Sequence, residues 1–251
     1  MAARERHEID RQILERIERF RRSDDDVPDS WRARREVASA VRALLDVLST
    51  TDAAADVMRS SAKSIRALAE HFAAHPAVIE PRGIAEMAFA GMEDFHDRSP
   101  LVGRSNPLAP PLALFPDPDK GIIEGTTIFG NAYEGAPGCV HGGFIAAAFD
   151  ELLGMACIFS GSPGMTGTLE VTYRTPTPTR TPLRFEGRFE GREGRRIQTR
   201  GEMWAGEWLC AEASGLFISI DRSKFEQLSR IRRERSGADA TDTPHKNDAD
   251  G

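Results

Sequence analysis

Several function classes are excluded by what the chain of 251 residues has little of. It has three cysteines, Cys139, Cys157 and Cys210, in no metal-binding spacing. So odd and sparse a set argues against a disulfide framework and for a reducing compartment. It has no basic excess: 33 Lys and Arg face 39 Asp and Glu, and the net charge of −6 gives no reason to expect a nucleic-acid partner. No run is read as reaching the ~18 apolar residues of a membrane helix. The opening MAARERHEID is charged and lacks the apolar centre of a signal peptide. A cytoplasmic protein with no membrane partner is expected. There is no Walker-type loop, no dinucleotide fingerprint, no zinc spacing and no serine nucleophile elbow, so neither cofactor nor metal is expected. Charged residues at 29% and hydrophobic ones at 40% fit a soluble globular protein.

The most informative stretch runs from 135 to 154, GAPGCVHGGFIAAAFDELLG. Gly135, Pro137 and Gly138 exclude regular structure at its start. After His141-Gly142-Gly143, about fifteen residues read as one helix, apolar nearly all round through Phe144, Ile145, Ala148, Phe149, Leu152, Met155, Ala156 and Phe159. Such a helix is buried. Asp150 and Glu151 interrupt it, and a buried carboxylate is costly unless it is paired, protonated or useful.

The order of elements around this helix suggests a fold. Residues 4–22 carry an apolar stripe, Ile9, Ile13, Ile17 and Phe20. A second helix follows SDDDVPDS, with Asp29 or Ser30 as its cap, and a third runs to about Phe72. Ten arginines face ten acids over 4–36, so this extension has no basic excess. The segment 104–121 holds five prolines after Asn106 and cannot be a long helix. Short strands are expected at Leu112 to Phe115 and Ile122 to Phe129, joined by a hairpin loop. Beyond the central helix, Met165, Gly167, Leu169, Val171 and Tyr173 alternate against Thr166, Thr168, Glu170, Thr172 and Arg174. Further strands follow at 183–190, 197–205 and 208–220, with turns near Gly194 and Gly206. One antiparallel sheet wrapping one long central helix fits this order. The expected organisation is a helical extension over 1–75, a linker region over 76–105, the sheet-and-helix domain over 106–221, and a largely disordered tail over 222–251.

HGGxxAxxxD, with its acid nine residues after the histidine, resembles the HGG-type thioesterases of the hotdog fold, the PaaI-like group. The preceding GAPGC looks particularly like vertebrate thioesterase-superfamily acyl-CoA thioesterases. The resemblance covers roughly Asn106 to Asp221. It implies an α+β hotdog fold and acyl-CoA as substrate. It also implies Asp150 as the catalytic carboxylate, either attacking the thioester carbonyl or activating water. In related enzymes a serine or threonine opens the strand after the helix and aligns water or the carboxylate, a place held here by Thr166. Many relatives carry Asn or Gln six residues before the histidine, where this chain has Gly135; Glu134 is the nearest polar substitute.

The residues themselves add to this. The N-terminus of the central helix, at Gly142 and Gly143, offers backbone N–H groups and a positive dipole end for a developing oxyanion. Gly143 is a substrate-binding candidate beside it. His141, the fourth catalytic-site candidate with Asp150, Gly142 and Thr166, is expected to fix the loop by hydrogen bonding, with direct substrate contact as the alternative, and Glu151 to sit at a solvent edge or in a salt bridge. Arg174, Arg180, Arg195 and Arg196 are the cations available for coenzyme A phosphates. Gly142 and Asp150 are eight residues apart on one helix, or ~12 Å along its axis. A single thioester carbon cannot span that distance, so a homodimer with antiparallel helices and composite sites is expected, alone or as a dimer of dimers. The alternatives are a non-catalytic acyl-CoA binding or sensing protein and a hotdog hydratase or dehydratase. No histidine follows Asp150 until His245, which counts against the dehydratase.

Overall fold

The computed structural model describes residues 27–76 and 96–219. The expected helix over 4–22, most of the linker and the tail lie outside the described residues. Helices α1 (Asp29–Leu48) and α2 (Ala55–Ala73) precede a β-hairpin, β1 (Ala113–Asp117) and β2 (Ile122–Ile128). Helix α3 (Gly142–Ala156) runs into a 3-10 turn, Cys157–Ser160. Strands β3 (Gly164–Tyr173), β4 (Pro182–Glu193), β5 (Arg196–Ala205) and β6 (Trp208–Ser219) follow. All six strands form one antiparallel sheet in the order β1-β2-β4-β5-β6-β3. After β2 the chain crosses through α3, and β3 becomes the far edge.

The sheet curls around α3 because its central strands carry small residues where the helix presses in. Gly187 and Gly201 face each other across β4 and β5, and Ala213 on β6 pairs with Gly201. A Cβ on Gly187 would stand 2.8 Å from Leu152 Cγ, and one on Gly201 3.0 Å from Leu152 Cδ2. Large side chains fill the space on either side. Phe149 meets Phe185 edge-on at 5.9 Å, and Leu152, Leu153, Ile197, Met203 and Phe217 are fully buried around them. By length and composition Gly142–Ser160 could cross a membrane, contrary to the expectation that no stretch qualifies. The sheet packs against one side of it, where Ile145, Phe149, Leu152 and Leu153 are buried, and makes it the core helix of the fold.

Strand β3 departs from the strict alternation that its sequence suggests. Thr166 pairs with Phe217 and Thr168 with Leu216, so Gly167 is an extra residue in a β-bulge. Ahead of the bulge Thr166 faces α3; beyond it Leu169 and Val171 pack on the core. Gly167 therefore does not continue the Leu169 face as expected. The strand is also the sheet's most open, with none of its residues buried.

The extension behaves unexpectedly too. Neither Asp29 nor Ser30 caps α1; Pro28 occupies the N-cap, and Asp29 pairs with Arg32 at 3.1 Å within the first turn. The helix meets the core through polar residues spaced along one face. Arg35 pairs with Asp97 at 2.8 Å, Arg42 donates to the Asn106 carbonyl at 2.8 Å, and Asp46 accepts from the Asn131 backbone and side-chain amides. Its apolar residues Val37, Leu44 and Leu48 are exposed. Helix α2 buries no residue.

Candidate active site

The loop before α3 is a set of backbone bonds closing on itself. Gly135 N–H donates to the Cys139 carbonyl at 2.8 Å, Val140 to Thr177 at 2.9 Å and His141 to Tyr133 at 2.9 Å. A Cβ on Gly135 would lie 2.9 Å from His141 Cα, so an asparagine or glutamine, the residues that the family resemblance leads one to expect there, has no room unless the turn moves. Glycine lets His141 close onto this loop. Glu134 bridges Val140 through its backbone and is solvent-exposed, without a side-chain partner among the described residues.

His141 is the N-cap of α3, and its Nδ1 accepts the Gly143 N–H at 3.0 Å. An accepting Nδ1 is unprotonated, which assigns the ring proton to Nε2. Phe144 and Ile145 N–H groups donate to the His141 carbonyl. Gly143 is therefore spent on the cap, while the Gly142 N–H has no acceptor among the described residues. Of the two glycines, Gly142 is the one left to meet a ligand.

At the other end of the chemistry, the Thr166 hydroxyl donates to Asp150 Oδ1 at 2.6 Å. The bond fixes one carboxylate oxygen and leaves the other open, near the protein surface. Glu151 is not the solvent-edge or salt-bridged residue expected. One helical step further round, it turns inward, with Oε1 accepting from the Ser99 hydroxyl at 3.3 Å and Oε2 buried without a hydrogen-bond partner among the described residues. Burial, with a smaller push from Asp150, raises its pKa from 4.5 to about 7. Ser99 is itself fully buried, and its oxygen accepts the Leu101 and Val102 N–H groups. Cys157 is no nucleophile, since burial pushes its thiol up to about 12.

Of the four cations, Arg174 is engaged by Glu212, which also receives Arg200 at 3.3 Å. The Arg174 guanidinium holds the Glu212 carboxyl below its ordinary value. Arg195 donates to the Ser219 carbonyl at 3.2 Å. Within one chain the fold brings Asp150 to Thr166 and His141 to Gly142 and Gly143. It keeps these two groups at opposite ends of one stretch of α3.

Three contacts escape the sequence. Tyr173, at the end of β3, donates its hydroxyl to the Gly142 carbonyl at 2.8 Å. Tyr133 gives its carbonyl to His141 and its hydroxyl to the Leu108 carbonyl at 2.9 Å, and burial pushes its pKa up to about 12. Ser99 holds Glu151 from a distant loop. Scarcity is a signal for the first two: the chain's two tyrosines both meet at this turn.

A solved thioesterase superfamily protein is 32% identical to this chain, with a TM-score of 0.64, covering 74% of this chain and 94% of the other. The chain belongs to the thioesterase superfamily. The superfamily's sequence model, described as "Thioesterase superfamily", matches residues 137–210, from the glycine loop to β6. Acyl-coenzyme A thioesterase THEM4 of Mus musculus is 35% identical over 97 residues, 36% of this chain and 40% of that protein. Its counterpart in Xenopus laevis is 32% identical over 89 residues, 35% of this chain and 40% of that one. The chain thus matches about 40% of the length of these curated relatives. The sheet wrapped on α3 is the superfamily's hotdog fold, here with helices N-terminal to it.

Proposed function

We propose that this protein is an acyl-CoA thioesterase, releasing a free acid and coenzyme A. The observation that carries the reading is Asp150, an accessible carboxylate on the core helix, oriented by the Thr166 hydroxyl at 2.6 Å. The relatives named acyl-coenzyme A thioesterase THEM4 support the substrate class. Asp150 either attacks the thioester carbon or takes the proton of a water that attacks it. In both routes negative charge gathers on the carbonyl oxygen and the C–S bond then breaks, with the departing thiolate taking up a proton; where Asp150 itself attacks, water then cleaves the resulting anhydride, releasing the free acid and restoring the carboxylate. The Gly142 N–H, at the positive end of α3, is the donor for that oxygen.

Base and oxyanion donor must both lie within ~3 Å of the reacting group. Gly142 and Asp150 of one chain are ~12 Å apart along the helix. The reacting centre therefore forms between Asp150 of one protomer and Gly142 of a second, their α3 helices antiparallel. Open β3, the sheet edge beside both groups, supports an assembly there: its Met165 is 53% and its Tyr173 52% exposed.

The test is complementation. Asp150→Asn and Gly142→Pro chains, differently tagged, are purified as heterodimers after each variant alone is shown to fold, dimerise and lack activity. One interface site then carries both defects and the other neither. About half the parent thiol release from acyl-CoA is expected. A folded heterodimer with no recovered activity, or a monomer fully active at high dilution, rules out the shared site.

A further inference from the structure

We infer that Arg180 binds a phosphate group of the coenzyme A moiety, on the rim of the turn that leads into α3. The inference rests on the acyl-CoA reading and adds a site for the part of that substrate farthest from the thioester. A positive φ disfavours any residue with a Cβ, so glycine is the default there. Among the described residues, Gly121, Gly138, Gly161, Gly194 and Gly206 follow this rule. Arg180, at φ 57°, is the one residue with a side chain in such a conformation. Strain of this kind persists only where the surroundings impose it, and it clusters at ligand sites. The surroundings here are backbone bonds. Arg180 N–H donates to the Phe129 carbonyl at 2.7 Å, and Thr179 N–H to the Gly138 carbonyl at 3.0 Å. These bonds account for the left-handed turn but not for an arginine in it. Glycine would satisfy them with less strain, so the side chain needs a reason of its own.

Its place and chemistry supply one. The connection between β3 and β4 lies along the turn before α3: Val140 N–H donates to the Thr177 carbonyl at 2.9 Å, and Cys139 bridges Pro178. Arg180 follows this paired segment, close to the turn that carries His141 and Gly142. Its side chain is exposed and has no ion pair or hydrogen bond among the described residues. The other candidate cations differ. Arg174 is engaged by Glu212, and Arg195 and Arg196 stand at the far end of β4, around its hairpin to β5. A guanidinium is always charged, and its planar fork matches two phosphate oxygens. In coenzyme A the pantetheine arm separates the sulfur from the phosphates. A cation set back along the rim from Gly142 suits that separation better than one beside the reacting carbon.

Arg180→Gly removes the cation and gives the turn the residue its backbone favours, so the melting temperature should fall by no more than about 2 °C. Titration calorimetry should show coenzyme A binding about tenfold more weakly to this variant than to the parent. In turnover, KM for acyl-CoA should rise about tenfold with kcat within twofold, the pattern of lost uniform binding. The same acyl thioester of pantetheine, which carries no phosphate, should be hydrolysed equally by both proteins. Lys120→Ala, on the β1–β2 hairpin, loses the same charge and should bind coenzyme A as the parent does. Unchanged coenzyme A affinity in Arg180→Gly overturns the proposal. An equal loss in Lys120→Ala overturns it too, because the effect would then belong to net charge, as does an equal loss on the pantetheine thioester. If the parent hydrolyses no acyl-CoA, the functional reading fails, while calorimetry with coenzyme A still decides the role of Arg180. A parent that binds no coenzyme A overturns that role as well.

Discussion

Asp150 and Glu151 are neighbours on one helix and meet opposite surroundings. A step of ~100° around α3 carries the first toward β3 and the surface, and the second under the loop that holds Ser99. The first has a hydroxyl donor on one oxygen and an open side. The second has one oxygen on Ser99 and the other buried with no hydrogen-bond partner among the described residues. A carboxylate that must reach a substrate has to stay accessible, whereas one sealed in apolar surroundings is driven toward its neutral form. The cost of an acid in a core helix thus falls on Glu151, and Asp150 is left available for chemistry.

Removing the charge from each acid separates them most sharply. Asp150→Asn should retain the fold and lose at least ~100-fold in kcat, the scale of a missing acid–base group. The corresponding Glu151→Gln enzyme should stay within about threefold of the parent, because its carboxyl does not open to the substrate side. Steady-state thiol release measures both. Parental turnover in Asp150→Asn would remove the basis of the comparison.

The next effect is on stability, and it belongs to Glu151 alone. Its folded pKa is raised from 4.5 to about 7, so over that interval the folded chain keeps a proton that the unfolded chain has released. Below it both states are protonated and Glu151 imposes no penalty. As pH rises through the interval stability is lost, and above about 7 the penalty is complete. Glu151→Gln should therefore be more stable than the parent at pH 8, by something of order 1–3 kcal/mol. The gap should close as pH falls toward 4.5. Urea denaturation of both proteins across this range measures it. A gap that does not vary with pH would place the Glu151 carboxyl in water rather than in the core.

Much of this was open to sequence reasoning, and the remainder depended on contacts distant along the chain. The HGG turn, the apolar helix and the alternating strands specified a sheet around a central helix. The turn and helix also singled out Asp150, Gly142 and His141, and the resemblance to HGG-type thioesterases added Thr166. Glu151 departs from the sequence expectation because its partner Ser99 lies 52 residues away, in a proline- and glycine-rich stretch with no periodic signal. The bulge at Gly167 was hidden by GMTGTLEVTY itself, whose alternation is regular on paper and is broken only by its register with β6. Helix α1 reverses the usual rule that an amphipathic helix docks its apolar side. Arg35, Arg42 and Asp46 find ionic and carbonyl partners on the core, so the polar face docks while Val37 and Leu44 stay exposed. Helix α3 obeyed the stripe rule because the sheet offered it glycines and apolar side chains, not charges.

The smallest expected effect is at Thr166, and it tests what holds Asp150 in its favoured position. The hydroxyl donates to Oδ1 at 2.6 Å, a charge-assisted bond near the surface, where water competes for the same oxygen. Thr166→Val keeps the β-branched shape that suits a strand, so β3 and its bulge should persist. The carboxylate then loses its orienting donor but not its charge. A drop in kcat of about tenfold is expected, equivalent to ~1.4 kcal/mol of transition-state stabilisation. Thr166→Ser restores the hydroxyl on a less restricted side chain and should recover activity to within about threefold of the parent. If Val and Ser behave alike, packing at this position matters and the hydrogen bond does not. If Val alone is impaired, and only in kcat, the hydroxyl orients Asp150 for attack, and the difference between the two acids of α3 extends to the strand that faces one of them and not the other.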